Sequence, residues 1–331
     1  MATDASPRAR VLFFVKLALG IALLAYLLIA RGAWRDVLEQ LQQARLVYLP
    51  PFLAITVVLI GLSCVKWQLF LGERGIRVGM VRLFGLYLIG RFFNNFLPSM
   101  FGGDLVRAYV LGRQISSQSQ SMASVFLERL TGMVALVSLA VGAWLLHPTL
   151  RGEPVVAASI AVIGGGCAAL LILLWKPALA TWMLRPVRRL FPARRLGPKL
   201  KRLHENIVFF KDRPRLVGKA MAYSYAFHLC TAVNVYLACL LLDVPATLGQ
   251  LVVITPIILV ISSLPLTPNS IGVWEWAFSV YLTSMGAQPE QGLAVALVLR
   301  AKTLLVSLVG GLLFLIEGAP AGASEAGAER S

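Results

Sequence analysis

Two short stretches combine ionisable side chains with backbone-breaking residues inside apolar surroundings. The first runs from Arg91 through Asn94, Asn95, Pro98, Gly102, Gly103 and Asp104 to Arg107. Charge within an apolar region is costly, and such residues usually face a bundle interior or a water-filled cavity. Pro98 ends one helix, and Gly102 and Gly103 let the backbone turn tightly and approach a ligand. Asp104 is placed to cap the following helix, whose free N–H groups suit a phosphate. Arg107 lies three residues on, so it shares a face with Asp104. Two readings stay open here, a capped helix with a local Asp104–Arg107 pair or a substrate-facing site. The second stretch, Pro265, Pro268, Gly272 and Glu275, repeats the pattern of proline break, turn and acidic first helical turn, with Ser270 as a candidate cap. A pair of Gly/Pro-interrupted apolar segments in two halves of a chain points to a transport site built from broken helices. Outside these stretches, Glu128 and Arg129 sit at the inner end of an expected span. Arg300 and Lys302 fall near the middle of the last one. Asp104, Glu128 and Glu275 are their candidate partners, as structural ion pairs or as a proton relay.

Enzyme signatures are missing from the sequence. It has no Walker loop, no His-Glu-x-x-His, no Cys-x-x-Cys and no Gly-x-Ser-x-Gly elbow. His147, His204 and His228 are widely spaced and carry no ligand pattern, so no metal site is expected. There is no Asp-rich run to hold a divalent metal against a diphosphate. No catalytic residue and no cofactor is therefore assigned.

The surrounding composition explains what must position these groups. The chain has 331 residues, is 58% hydrophobic and is 14% charged, whereas soluble domains carry about 25% charged residues. A lipid bilayer is the solvent that fits. The expected fold is all-α, a polytopic integral membrane helical bundle with about seven spans plus a re-entrant half-helix. Spans are read at Val11 to Ala30, Leu46 to Leu71, Leu130 to Leu146, Val155 to Trp175, Leu216 to Leu242, Leu248 to Leu264 and Gln291 to Ile316, with a shorter helix at Ile271 to Met285. Gly32 to Arg45 reads as an amphipathic segment on the outer surface. Leu83 to Leu97 is too short to cross comfortably and is the re-entrant candidate. Residues 1–318 form one helical membrane domain, and 319–331 a disordered tail. The net charge is +16, and 13 Lys or Arg fall between Lys176 and Lys219 against two acids, Glu205 and Asp212. Flanking spans make 176–219 a cytoplasmic loop under the positive-inside rule, in contact with anionic headgroups, and not a nucleic-acid site. Expected outer loops hold few basic residues (Arg31, Arg35, Arg45 and Arg151), which puts both termini on the cytoplasmic side of the cell membrane. Cys64, Cys167, Cys230 and Cys239 lie in apolar stretches and are read as free thiols.

Asn94-Asn95 with Pro98, Gly102-Gly103-Asp104 with Arg107, Glu128-Arg129, and Pro265 and Pro268 with Gly272 and Glu275 together resemble the flippase-like membrane family. This is the transmembrane region of lysylphosphatidylglycerol synthase and its stand-alone relatives. The resemblance spans about residues 11 to 317. The family usually carries a glycine pair before the final glycine, where this chain has Asn269 and Ser270. The resemblance implies a helical domain that moves a lipid or lipid-linked group between leaflets. Full-length synthases carry a soluble aminoacyl-transfer domain. None is expected in this chain, and aminoacyl transfer is not carried over.

The expected function is a flippase or scramblase whose substrate is an anionic phospholipid or a polyprenyl-linked lipid. Arg91, Arg107 and Arg129 are the expected phosphate contacts, Asn94 and Asn95 a polar wall, and Asp104 and Glu275 the organisers of the two turns. The alternative is a membrane-embedded lipid-modifying enzyme, with Asp104, Glu128 or Glu275 as general base, or an accessory subunit of a lipid-synthesis complex.

Overall fold

Every regular element in the computed structural model is helical among the described residues, which are 7–29, 33–96, 102–175, 213–264 and 266–317. Pro98, Pro265, most of the basic loop and the 319–331 tail lie outside them. The helices are α1 Pro7–Ile29, α2 Ala33–Gln42, α3 Leu49–Gly72, α4 Met80–Phe96, α5 Gly102–Gln114, α6 Gln118–Leu146, α7 Pro148–Arg151, α8 Pro154–Trp175, α9 Pro214–Leu241, α10 Leu248–Ser263, α11 Val273–Thr283 and α12 Pro289–Glu317. Single 3-10 turns, Leu46–Tyr48 and Pro268–Ser270, precede α3 and α11.

The starts follow local chemistry. Proline stands in the first turn of α3, α7 and α9, where its missing N–H costs nothing. Thr247 and Gln250 form a reciprocal capping box at α10. At α11 the carboxylate of Glu275 turns back to accept from the Gly272 N–H at 2.8 Å.

Among the described residues four segments are long and apolar enough to cross a bilayer: Leu46–Gly72, Gln118–Leu146, Pro214–Leu241 and Pro289–Ile316. Pro154–Ala169 and Leu248–Ser263 are shorter apolar helices, and Phe14–Ile29 with Trp34–Gln42 forms a pair bent by 72°. The chain is thus a polytopic membrane helical bundle. Helix α4, at 17 residues, spans about 25 Å, short of a hydrocarbon core of about 30 Å.

Three local expectations are corrected. The helix expected to begin near Leu130 begins at Gln118, because Ser121, Ser124 and Glu128 make its first turns polar yet find partners inside the bundle. Glu128 and Arg129 therefore lie well within a long helix. Asp104 is not the cap but the third residue of α5, its carboxylate drawn toward two arginines. Ser270 does not cap α11 either. Its hydroxyl donates to the Ser262 carbonyl, and Gly272 takes the cap position.

The largest core cluster joins Phe52 of α3, Val235 and Cys239 of α9, Ile254 and Ile257 of α10, Phe278 and Leu282 of α11, and Val295 of α12. A second one, around Trp67, Leu83, Leu86 and Leu111, ties α3, α4 and α5 together. Leu305, Leu308, Leu312 and Leu315 form an exposed stripe along α12. Such a face suits acyl chains and not water. All four cysteines are free thiols.

Candidate functional site

The first break is held by a backbone contact between two glycines. A Cβ on Gly103 would stand 1.7 Å from the Gly90 carbonyl oxygen, so α4 and α5 touch main chain to main chain. Asn94 accepts from the Gly103 N–H at 2.8 Å and ties the end of α4 to the start of α5.

This close approach brings Arg107 into the protein interior, 1% exposed. Its Nε donates to Asp104 Oδ1 at 3.0 Å and its Nη1 to Glu128 Oε2 at 3.0 Å. Its guanidinium lies 4.3 Å from the Tyr87 ring centre and 4.6 Å from that of Trp67. The Tyr87 hydroxyl donates to the other oxygen of Glu128. Trp67 Nε1 donates to Ser124 Oγ at 2.9 Å. Arg129 donates to Asp104 from Nε at 2.7 Å and Nη2 at 2.9 Å, while 54% of its side chain stays exposed. Two arginines and two carboxylates thus form a charge-neutral chain, Glu128–Arg107–Asp104–Arg129. A buried charge is tolerated when it is paired and its remaining hydrogen-bonding capacity is met. One donor is left over, because Arg107 Nη2 is buried with no hydrogen-bond partner among the described residues.

The second turn is held the same way. Glu275 is fully buried and pairs with Arg300 of α12. Arg300 also donates to the carbonyls of Asn269 and Ser270, each at 3.2 Å. Both residues have left-handed backbones, φ 49° and 54°, and Gly272 follows at φ 80°. Only glycine enters that region without steric cost. A Cβ on Gly272 would meet the Gly20 carbonyl oxygen of α1 at 2.5 Å.

Among the described residues two lysines are buried without a carboxylate partner. Lys66 donates to the Glu128 carbonyl at 3.1 Å and to Ser224 Oγ at 3.2 Å. Lys302 donates to the Phe52 carbonyl at 2.8 Å and to Asn234, above the Phe52 ring. Arg91 makes no hydrogen bond or ion pair among the described residues. The charge of Arg129 acts on it, and its own charge acts on Lys302. Helix α4 also touches the Pro268–Ser270 turn, and α12 packs along α4.

The structure therefore gathers Arg91, Asn94, Gly102, Gly103, Asp104, Arg107, Glu128 and Arg129 around one break, and Pro268, Gly272, Glu275 and Arg300 around the other. Asn95 is half-buried near the first break. Of the three candidate acids, Glu275 partners Arg300, and none partners Lys302. Sequence reasoning missed Trp67, Tyr87, Ser124, Ser224, Asn234 and Gly90. Lys66, 6% exposed inside the apolar run of α3, was a usable signal.

A profile of the lysylphosphatidylglycerol synthase TM region matches residues 13–311. The chain belongs to the lysylphosphatidylglycerol synthase transmembrane-region family. A relative within reach is the UPF0104 membrane protein of Methanothermobacter thermautotrophicus, 23% identical over 309 residues, covering 86% of this chain and 89% of the relative. No solved structure matches. In this member of the synthase transmembrane-region family, left-handed Asn269 and Ser270 build the turn before α11.

Proposed function

We propose that this chain moves an anionic phospholipid or polyprenyl-linked lipid between leaflets, its headgroup meeting Arg91 and Arg129 while its tails stay in the bilayer. Arg91 carries the reading. It is a cation in the short helix α4 with no hydrogen-bond or ion-pair partner among the described residues, and the charge of the half-exposed Arg129 acts on it. Stripping a phosphate of water costs many kcal/mol unless charged donors replace it. Two guanidiniums and the amides of Asn94 and Asn95 supply such donors. Asp104, Arg107 and Glu128 hold Arg129 and the α4–α5 contact in place, and Glu275 with Arg300 fixes the second turn. The family's name, which refers to a phospholipid, supports a lipid substrate. With no nucleotide motif in the sequence, uphill movement draws on an ion gradient or a partner. The same reading places the chain in the cell membrane with both termini cytoplasmic.

The test is leaflet exchange of a labelled anionic lipid in reconstituted vesicles. Replacing Arg91 with Gln removes a charge-assisted contact of about 1.5–3 kcal/mol and slows exchange roughly tenfold to a hundredfold. Unchanged exchange by a folded R91Q protein overturns the assignment of the headgroup site.

A further inference from the structure

The end of α3 and the start of α9 enclose a groove that the site around Arg91 does not use. Its volume is about 660 Å³, within the range of about 300–1,000 Å³ typical of ligand clefts. Gln68 and Glu73 of α3, Arg77 of the following turn, and Arg215 and Lys219 of α9 stand around it. The Gln68 amide shapes the rim, donating to the Ile76 carbonyl at 3.2 Å and accepting from the Val78 N–H at 3.3 Å. Glu73 is the acid of the lining, and Arg213 already pairs with it at 3.3 Å. Arg77, Arg215 and Lys219 are exposed and have no hydrogen-bond or ion-pair partner among the described residues.

The placement of these cations favours an anionic occupant. Arg215 and Lys219 fall in the first turns of α9, whose N-terminus has no side-chain cap and no acid in its first turn. The helix dipole disfavours cations at that end and favours anions. The neighbouring segment from Lys176 to Asp212 is itself strongly basic, so on balance it repels the groove. Leu69, Val78 and Leu216 add apolar walls. The segments Leu46–Gly72 and Pro214–Leu241 are long and apolar enough to cross a bilayer, and the groove lies where the first ends and the second begins. Phospholipid headgroups occupy that level. We infer that the groove binds the headgroup of an anionic phospholipid, its phosphate among Arg77, Arg215 and Lys219 and its glycerol against the apolar walls. Under the proposed orientation the lipid belongs to the cytoplasmic leaflet. Met80 lines the groove, and Arg91 lies about 16 Å further along α4, so the two sites are separate. Binding here does not require that the chain move lipid between leaflets.

The test uses the full chain in phosphatidylcholine nanodiscs doped with phosphatidylglycerol that carries a photoreactive group on its head. Crosslinked peptides are mapped by mass spectrometry. Labelling is expected at the groove, around Leu69, Val78 and Leu216, and a matching phosphatidylcholine probe should label it at least about tenfold less. The triple variant R77Q/R215Q/K219Q should lose the labelling by a similar factor, while Arg91→Gln keeps it. Lys219→Glu, a single reversal on an exposed side chain, gives the same reading where the triple variant does not fold. Equal labelling by the two probes, or unchanged labelling in a folded variant, overturns the assignment. Inorganic phosphate that abolishes labelling at constant ionic strength overturns a lipid ligand in favour of a soluble anion. A polyglutamate peptide that abolishes it where phosphate does not overturns it in favour of an acidic protein partner.

Discussion

Replacing Arg107 with Met should destabilise the protein strongly, and a second substitution should recover much of the loss. Arg107 is 1% exposed and donates to two carboxylates at 3.0 Å while its guanidinium lies against the rings of Tyr87 and Trp67. Removing it strands two acids unequally. Asp104 keeps both bonds from Arg129, so its charge remains compensated. Glu128 keeps only the Tyr87 hydroxyl. Breaking a buried pair by removing one partner costs about 3–5 kcal/mol, mostly from the charge left behind. Glu128→Gln removes that charge, and Arg107 would still hold Asp104. The single E128Q change should therefore cost about 1–3 kcal/mol. In the double variant no uncompensated acid remains. The double loss should then fall short of the sum of the singles by about 2 kcal/mol. The assay is a double-mutant cycle on unfolding in mixed dodecyl maltoside and SDS micelles. Single losses that add within about 0.5 kcal/mol would refute a shared network.

Two further outcomes follow from the backbone. Gly103→Ala places a Cβ 1.7 Å from the Gly90 carbonyl oxygen, where ordinary contact begins at 3.4 Å. The helices must part, at a cost of about 1–3 kcal/mol or more, and both the thermal midpoint and lipid exchange should fall. At Asn269, φ 49° favours glycine. Asn269→Ala should cost about 1 kcal/mol, while Asn269→Gly should stay within about 0.5 kcal/mol of the parent in the same unfolding assay.

Much of the fold was legible because the bilayer imposes its length on apolar runs, and the ends of α10, α11 and α12 fall within two residues of the expected limits. The late expected start of α6 shows the weakness of that signal. Ser121, Ser124 and Glu128 look like a polar loop until Trp67, Ala108 and Arg107 are seen to satisfy them. At the first break the Asp104–Arg107 spacing correctly puts both on one face, since a helical turn brings residues three apart together. The division of labour between Glu128 and Arg129 could not be read. Adjacent helical residues point about 100° apart, and which neighbour each meets depends on where α4 and α5 cross. Tyr87 and Trp67 have no sequence relation to Arg107. Their role emerges only once Gly90 and Gly103 let two backbones meet. Lys302 was expected to seek an acid, yet its partners are a carbonyl and an amide, acceptors that no charge pattern announces.

The last helix has a mechanical consequence. Along α12, Arg300 grips the turn before α11, Lys302 grips the start of α3 and the middle of α9, and a Cβ on Gly310 would fall 1.9 Å from the Leu88 carbonyl oxygen of α4. Rocking that preserved these grips would carry α3, α4, α9, α11 and α12 as one rigid lever. The pivot then has to sit where that lever borders α5 and α6, the seam spanned by the Gly90–Gly103 contact and by the bonds of Tyr87 and Lys66 to Glu128.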